Sequence, residues 1–277
     1  MLANLNDILP QAQKEHYAVG LFNTIDTDML EAAISAAEEL NSPIIIGTAE
    51  VLLPYGELKL IAPAMIAAAR RAKVPVVVHF DHGLTFERCM EALQLGFSSI
   101  MFDGSANGLE RNLAGTAELV KIAHAMGASV EGEIGHVGEA ATDDGAVSDM
   151  YTTPREARDF VEATGVDALA VAIGTAHGEY KSKPRLDINR LKAIRAAIDT
   201  PLVLHGGSGL SETDFRNTIA QGIAKVNIFT DLCNAGLNAL RYSQSYLEAR
   251  NDKVDAIREA VKEKIRLFGS IGKGSTR

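Results

Sequence analysis

The sequence predicts an α/β fold, a single (β/α)8 barrel of the TIM type that spans residues 1–277 as one domain. Short apolar runs rich in β-branched residues alternate with amphipathic segments along the whole chain, and no linker rich in Pro, Gly or Ser divides them. Eight such runs are separated by helical crossovers. A doubly wound open sheet is the main alternative, but no GxGxxG motif follows the first predicted strand, which disfavours a dinucleotide-binding sheet.

The predicted strands are apolar runs bounded by Gly, Pro, Asn, Asp or Ser. The third run enters after Pro75 as consecutive valines and ends in Asp81, His82 and Gly83, which a buried strand should not carry without a partner. In chain order, the eight strands are expected at residues 17–22, 43–46, 74–80, 97–102, 128–134, 167–173, 201–205 and 224–229.

The predicted helices carry apolar residues at helical spacing, such as Leu30, Ala33 and Ile34 in the second helix. Thr85 and Gly96 are suited to cap the two ends of the fourth helix, and Pro63 is expected in the first turn of the third. The helices are predicted at residues 5–14, 26–40, 58–71, 86–95, 107–126, 154–164, 188–198, 212–221, 231–247 and 254–268.

One predicted connection, between the fifth strand and the sixth helix, is longer than a simple link requires. Residues 135–153 contain an excess of Gly, Asp and Ser and show no apolar period. Connections of this length without secondary structure are usually functional. We interpret this segment as a mobile active-site loop.

Charge and composition restrict the classes of partner. The net charge is −9 with a pI near 5.3, and there is no long block of Lys or Arg. This balance argues against nucleic acid or an anionic membrane as the main partner. Cys89 and Cys233 form neither a disulfide framework nor a CxxC pattern, and no signal peptide or run of about 20 apolar residues is present. A cytoplasmic, soluble protein is expected.

Polar side chains recur at or just beyond the carboxyl end of the predicted strands. In a barrel these ends converge on one rim, where active sites lie. The residues concerned are Asn23, Asp81, His82, Asp103, Glu133, His177, His205 and Asn227.

Three of these residues, His82, His177 and His205, are candidate ligands of a catalytic zinc ion, since three imidazoles with one open position form a common catalytic zinc site. Three separately hydrogen-bonded loop histidines are the alternative. Asp103 and Glu133 could orient such ligands, could themselves bind a metal, or could pair with a lysine. Asp81 adjoins a ligand but points the other way along a strand, which suits a general acid/base. His79 is expected to fill the barrel interior.

Two glycine-rich or helix-initiating turns indicate an anion site. Residues 206–209 read Gly-Gly-Ser-Gly after the seventh strand, and residues 227–231 follow the eighth. Backbone N–H groups in such turns bind anions, and barrels often hold phosphate at these two loops. Residues 177–181 add a glycine and a cation nearby.

Eight segments of the chain carry a family resemblance: YAVGLFN, VHFDHG, IMFDGS, VEGEIG, AIGTAHGEYK, PLVLHGGSG, KVNIFTD and KEKIRLFGS. Taken together, they resemble the class II, zinc-dependent ketose-bisphosphate aldolases, which include fructose- and tagatose-1,6-bisphosphate aldolases. They occur in order over nearly the whole chain. The resemblance implies one zinc on His82, His177 and His205, with Asp81 as acid/base at the substrate's C4 oxygen. It also implies a monovalent cation, Na⁺ or K⁺, and a homodimer or homotetramer. The residues implied to hold dihydroxyacetone phosphate are Gly178, Lys181, Gly207, Ser208, Asn227 and Thr230. Asn23 and Gly206 are further candidates for substrate binding.

The sequence departs from the family pattern at three places. The loop glutamate that moves the proton at the ketone's C3 falls on Ala141, so Glu139, Asp143 and Asp144 are the candidates for this second base. A serine that binds the far phosphate falls on Ala49, and Phe229 stands where many members have Asp. We therefore expect cleavage of a phosphorylated ketose to dihydroxyacetone phosphate and an aldehyde other than glyceraldehyde 3-phosphate.

Four alternatives remain open from the sequence. The chain could be a fructose- or tagatose-1,6-bisphosphate aldolase proper. It could be a zinc hydrolase, which would have no use for a phosphate site on the same rim. It could be a Schiff-base aldolase that uses Lys181 or Lys225. Finally, it could be a non-catalytic aldolase-like scaffold, which would leave the metal ligands without a role.

Overall fold

The chain forms a closed parallel β-barrel surrounded by helices, as the sequence predicts. The computed structural model describes residues 1–105, 108–135, 151–178, 180 and 183–275, together with the backbone of 138–139. Each strand pairs in parallel with the next, and the eighth pairs with the first to close the barrel. The barrel strands are β1 (Val19–Asn23), β2 (Ile44–Ala49), β3 (Val76–Gly83), β4 (Ser99–Phe102), β5 (Ser129–Ile134), β6 (Ala168–Val171), β7 (Leu202–Leu204) and β8 (Ile223–Ile228).

Helices α2 to α8 connect successive strands, while α1 precedes the barrel and α9 and α10 follow it. They are α1 (Leu5–Glu15), α2 (Thr27–Glu39), α3 (Leu58–Arg71), α4 (Phe86–Leu95), α5 (Leu109–Ala125), α6 (Pro154–Thr164), α7 (Ile188–Ala197), α8 (Glu212–Ala220), α9 (Thr230–Ala239) and α10 (Tyr246–Phe268). As predicted, the Thr85 side chain accepts from Arg88 N at the start of α4, and Gly96 ends this helix at φ 97°. Within the described residues, no helix is both long and apolar enough to cross a membrane.

The alternation of side chains along each strand produces two cores. In β2, Ile44 and Ile46 pack outward against the helices, whereas Ile45 points into the barrel. Leu5 and Leu9 of α1 belong to this inner core and are fully buried. Because α1 closes the amino end of the barrel in this way, the carboxyl end is left to form the site.

Two predicted details are wrong. The helix predicted at 231–247 ends at Ala239, and a 3₁₀ turn follows before Ser245 caps α10 by accepting from Glu248 N. Pro63 lies inside α3 and not in its first turn. The helix begins earlier because burial of Leu58 and Ile61 offsets the hydrogen bond that the proline ring removes.

Candidate active site

A cavity of about 380 Å³ opens at the carboxyl rim of the barrel. Most of the polar residues predicted at strand ends line it, and His205 lies fully buried directly beneath. The lining includes Asn23, Asp81, His82, Asp103, Glu133, His177, Gly178, Gly206, Gly207, Ser208, Asn227 and Thr230. Residues from every part of the chain therefore meet at this rim, as parallel strand ends must in a barrel.

The end of β3 carries a bulge that brings two consecutive side chains to the cavity. The pairing with β4 shifts between Phe80 and Gly83, and His82 adopts a left-handed backbone at φ 43°. Such a conformation is costly for a non-glycine residue and is typical of functional sites. The turn occurs at His82 and not at Gly83. Gly83 instead allows close packing, since a Cβ there would lie 2.4 Å from Cys89 Sγ.

The three candidate zinc ligands each present one free ring nitrogen to a common point. His82 Nδ1 donates to Asp103 Oδ2 at 2.9 Å, and His205 Nε2 donates to Glu131 Oε1 at 2.8 Å. Among the described residues, none forms a hydrogen bond with His82 Nε2, His177 Nε2 or His205 Nδ1, although all three nitrogens are buried. Ligand atoms of the three rings lie within 4.8 Å of one another. Buried, unpaired imidazole nitrogens in this arrangement fit a tetrahedral metal ion such as zinc.

The protonation of the rings follows from their surroundings. Burial lowers the pKa of His177 to about 3 and keeps its ring neutral, as a metal ligand must be. Burial also disfavours the charged form of His205, but the hydrogen bond to Glu131 and the nearby Glu133 carboxylate outweigh it and raise the pKa to about 10. Glu131 and Glu133 thus place two negative charges beside His205. A divalent cation bound to the ring nitrogen would take the place of the proton that these charges otherwise favour.

Two carboxylates orient the histidines, and one of them differs from the expected pair. Asp103 Oδ2 lies 2.9 Å from His82 Nδ1, an arrangement that agrees with one of the roles left open for Asp103. On His205 the hydrogen bond goes to Glu131, whereas Glu133 Oε2 lies 3.1 Å from the opposite nitrogen, Nδ1, and this side chain lines the cavity. Glu131 and Glu133 are two residues apart on one strand and so share a face. This spacing is the sequence signal that could have identified Glu131.

Asp81 is held from both sides by amide groups. Asn23 Nδ2 donates to one carboxylate oxygen at 2.8 Å, and Asn227 Nδ2 donates to the other at 3.0 Å. Burial would raise the pKa of Asp81, but the positive charges of His82 and Lys225 outweigh this effect and lower it. Asp81 is therefore an oriented carboxylate that lines the cavity beside the zinc-ligand candidates.

The loops after β7 and β8 meet at the other side of the cavity. Gly206 has φ 64°, and a Cβ at this position would lie 2.3 Å from the Ala176 carbonyl oxygen. Ser208 Oγ accepts from the backbone N–H groups of Phe229 and Asp231 at the start of α9, at 3.2 and 3.3 Å. At the place predicted to bind an anion, a glycine turn is thus packed against a helix N-terminus.

Tyr180 was not identified from the sequence, although it connects two loops of the site. Its hydroxyl donates to Gly206 O and accepts from Ala176 N, both at 2.8 Å. Burial raises the pKa of Tyr180 to about 12, so the hydroxyl stays protonated and able to donate. The residue joins the His177 segment to the glycine turn.

Other predicted residues lie wholly or partly outside the described part of the chain. Lys181, Asp143 and Asp144 are outside it, as is most of the long loop. Of Glu139 only the backbone is described, in a short strand that pairs with Ala176–His177. As expected, His79 is fully buried inside the barrel, where its Nδ1 lies 2.8 Å from Ser99 Oγ.

The remaining wall of the cavity is apolar. It is formed by Ala49, Val51, Leu52, Leu84 and Phe229, and no Lys or Arg of the described residues lines the cavity.

Comparisons with known proteins agree with this architecture. The sequence profile of the class II fructose-bisphosphate aldolase family matches residues 3–273. The chain is 41% identical over 276 residues to YdjI of Escherichia coli K12, with 99% of each chain covered. It is 39% identical to the probable fructose-bisphosphate aldolase of Bacillus subtilis, with 97% of this chain and 98% of the relative covered.

Solved structures agree as well. The crystal structure of the YdjI aldolase from Escherichia coli K12 superimposes with a TM-score of 0.91 at 39% identity and covers 99% of this chain and 100% of that one. A match of this length and similarity extends over the barrel and every loop that carries the site. The chain therefore belongs to the class II fructose-bisphosphate aldolase family and is an aldolase, a carbon–carbon lyase.

Proposed function

We propose that the protein is a zinc-dependent aldolase that reversibly cleaves a phosphorylated ketose to dihydroxyacetone phosphate and an aldehyde. The observation that carries this proposal is the convergence of three buried, unpaired imidazole nitrogens beside the Asp81 carboxylate. His82, His177 and His205 would hold the zinc ion. When bound, zinc supplies the positive charge that stabilises the negative charge left on the ketone half after cleavage.

Asp81 moves the proton on the aldehyde side of the broken bond. In cleavage it takes the proton of the C4 hydroxyl, and in condensation it returns that proton. Asn23 and Asn227 keep both oxygens oriented, and each oxygen retains a lone pair for the substrate. A second base must move the proton at C3 of the ketone, and we assign this role to one of Glu139, Asp143 and Asp144.

The ketone phosphate would bind where the loops after β7 and β8 meet. The N–H groups of Phe229 and Asp231 are taken by Ser208, and the glycine turn beside the N-terminus of α9 lines the cavity and suits a phosphate group. Gly178 and Thr230 also line the cavity, and Lys181 would add a cation. A Na⁺ or K⁺ ion would further neutralise the anion.

The aldehyde half would lack a second phosphate. Ala49 and Phe229 lie in the apolar wall, and no cation of the described residues lines the cavity to neutralise a phosphate there. We therefore expect dihydroxyacetone phosphate to be released from singly phosphorylated ketoses faster than from fructose or tagatose 1,6-bisphosphate. A coupled retro-aldol screen of both substrate classes measures this difference. A higher kcat/KM on either bisphosphate would make the protein an aldolase of that bisphosphate.

The alternative mechanisms are distinguished by two treatments. A zinc aldolase should lose activity with a chelator and recover it with Zn²⁺, and borohydride with substrate should not inactivate it. Lys225 is poorly suited to form a Schiff base, because it is fully buried in an ion pair with Glu131. Inactivation by borohydride would instead indicate a lysine nucleophile. By family similarity, we also propose a cytoplasmic homodimer or homotetramer.

Tyr180→Phe tests the connection between the two loops of the site. The change leaves Gly206 O and Ala176 N without their shared partner, and the phosphate loop should loosen. We expect KM for the ketose phosphate to rise about threefold to tenfold, the value of one net hydrogen bond, with a smaller change in kcat. Tyr242→Phe is the control, since this side chain is 79% exposed. An unchanged KM in Tyr180→Phe would show that the loop is held by other contacts.

A further inference from the structure

A buried lysine beneath the site, Lys225, has no role in the chemistry proposed above. It lies on β8 inside the barrel, is fully buried and does not line the cavity. Its ammonium group contacts both oxygens of Glu131, at 2.8 and 3.1 Å, and donates to Asn227 Oδ1 at 2.7 Å. The ammonium group therefore donates to one carboxylate oxygen and one amide oxygen inside the barrel and lies in ion-pair contact with the second carboxylate oxygen.

The contact with Asn227 determines which way its amide faces. The oxygen and nitrogen of an amide are nearly equal in size, so shape alone permits either orientation. An ammonium group can only donate, and it therefore requires Oδ1 of Asn227 on its side. This leaves Nδ2 directed at Asp81 Oδ1, to which it donates at 3.0 Å.

Asn23, the other amide on Asp81, has no such neighbour. Its Nδ2 donates to Asp81, but its Oδ1 is buried and has no hydrogen-bond partner among the described residues. Among the described residues, a fixed charge thus defines the Asn227 side of the carboxylate and not the Asn23 side. Glu131 in turn holds Lys225 in place, because a buried ammonium needs a paired carboxylate.

We propose that Lys225 is a positioning residue, which fixes the amide of Asn227 and through it the orientation of the Asp81 carboxylate. The proposal rests on the proposed function, in which Asp81 exchanges a proton with the C4 oxygen. It differs from the simpler role of neutralising Glu131, which would not depend on Asn227. Since Lys225 does not itself line the cavity, its effect should be mainly on kcat and much less on KM.

The first test is Lys225→Met in three backgrounds. In the parent protein and in Glu131→Gln, we expect the change to lower kcat for retro-aldol cleavage about 10–100-fold, the scale for residues that orient a reacting group, with KM changed by less than about twofold. In Asn227→Leu the same change should alter kcat by less than about twofold, because the two effects act through one contact. Zinc content and thermal unfolding, measured for each variant, exclude loss of the metal or the fold.

The Glu131→Gln background keeps the test decisive if Lys225→Met alone is unstable. In Lys225→Met/Glu131→Gln both charges are removed together, and the amide oxygen introduced in place of the carboxylate can still accept from His205. If Lys225 only neutralised Glu131, this double variant would match Glu131→Gln in kcat. That result, or equal losses in kcat from Lys225→Met with and without Asn227, would overturn the proposal.

A second readout does not depend on turnover. In the metal-free protein, the side-chain NH₂ resonance of Asn227 can be assigned with Asn227→Leu. It should shift more on Asp81→Ala in the parent than in the Lys225→Met background, where the Asp81 carboxylate alone orients the amide. Equal shifts in both backgrounds would contradict the inference.

Failure of the proposed function looks different. A parent protein that releases no dihydroxyacetone phosphate from any phosphorylated ketose would refute the aldol reaction assigned above. A parent that cleaves a ketose while the NMR and kinetic couplings are absent would refute only the role of Lys225.

Discussion

His205→Ala should bind no zinc under conditions that saturate the parent protein, and its retro-aldol activity should fall to background. The change removes one of three nitrogens that converge on the metal position. It also leaves Glu131 and Glu133 buried without the imidazole that lies between them. Loss of an outer partner of a metal ligand typically costs about 10–100-fold in metal affinity, and loss of a ligand itself should cost more. Metal analysis of the dialysed variant measures the effect.

His124→Ala is the matched control. This histidine is partly exposed and pairs with Asp167, outside the cavity. It should keep one zinc per chain and the activity of the parent. Full zinc occupancy in His205→Ala would refute the proposed ligand set. A circular dichroism spectrum that matches the metal-free parent would show that loss of zinc is not loss of the fold.

Asp81→Ala should retain zinc and lose about 10²–10⁴ in kcat, the usual contribution of a positioned acid/base. At about 1.4 kcal/mol per factor of ten, this corresponds to about 3–5 kcal/mol of transition-state stabilisation. Exchange of the C3 hydrogen of dihydroxyacetone phosphate with solvent should persist, because a different base moves that proton. The comparison of cleavage with exchange isolates the aldehyde side of the reaction.

The control for Asp81 is Asp199→Ala, which removes an exposed carboxylate paired with Arg195 on the surface. It should leave both cleavage and exchange unchanged. If Asp81→Ala lost cleavage and exchange to the same extent, Asp81 would not be specific to the C4 proton. A variant with parental kcat would assign the acid/base to another residue.

The barrel itself could be predicted from the sequence because its signals are local. Apolar runs and helical periods depend on neighbouring residues, and capping residues such as Thr85 and Gly96 act within one turn. Element boundaries follow less directly from such patterns. Ser245, followed by Glu248, is a local capping signal for the start of α10, whereas the end of α9 at Ala239 depends on packing against the rest of the barrel.

The polar residues at strand ends were visible in the sequence because buried strands rarely end in Asp, His or Asn. Three residues that contact the site residues were not visible as partners in the sequence. Glu131, Lys225 and Tyr180 act across distances of 74, 2 and 26 residues, through contacts with His205, Asn227 and Gly206. The contact between Lys225 and Asn227, two residues apart, could also be identified only in the structure. Spacing alone does not show which atom of Asn227 faces the ammonium group.

The order of the amino acids was enough to predict the fold, the rim on which the site lies, and the residue types that meet there. How these residues act became visible only in the folded chain. It shows the left-handed turn at His82 that aims two adjacent side chains into one cavity, the hydrogen bond of His205 to Glu131 instead of Glu133, and the two amides that hold Asp81. The physical reason is that periodicity and capping are local, whereas hydrogen-bond direction and burial arise only when distant strands close into a barrel.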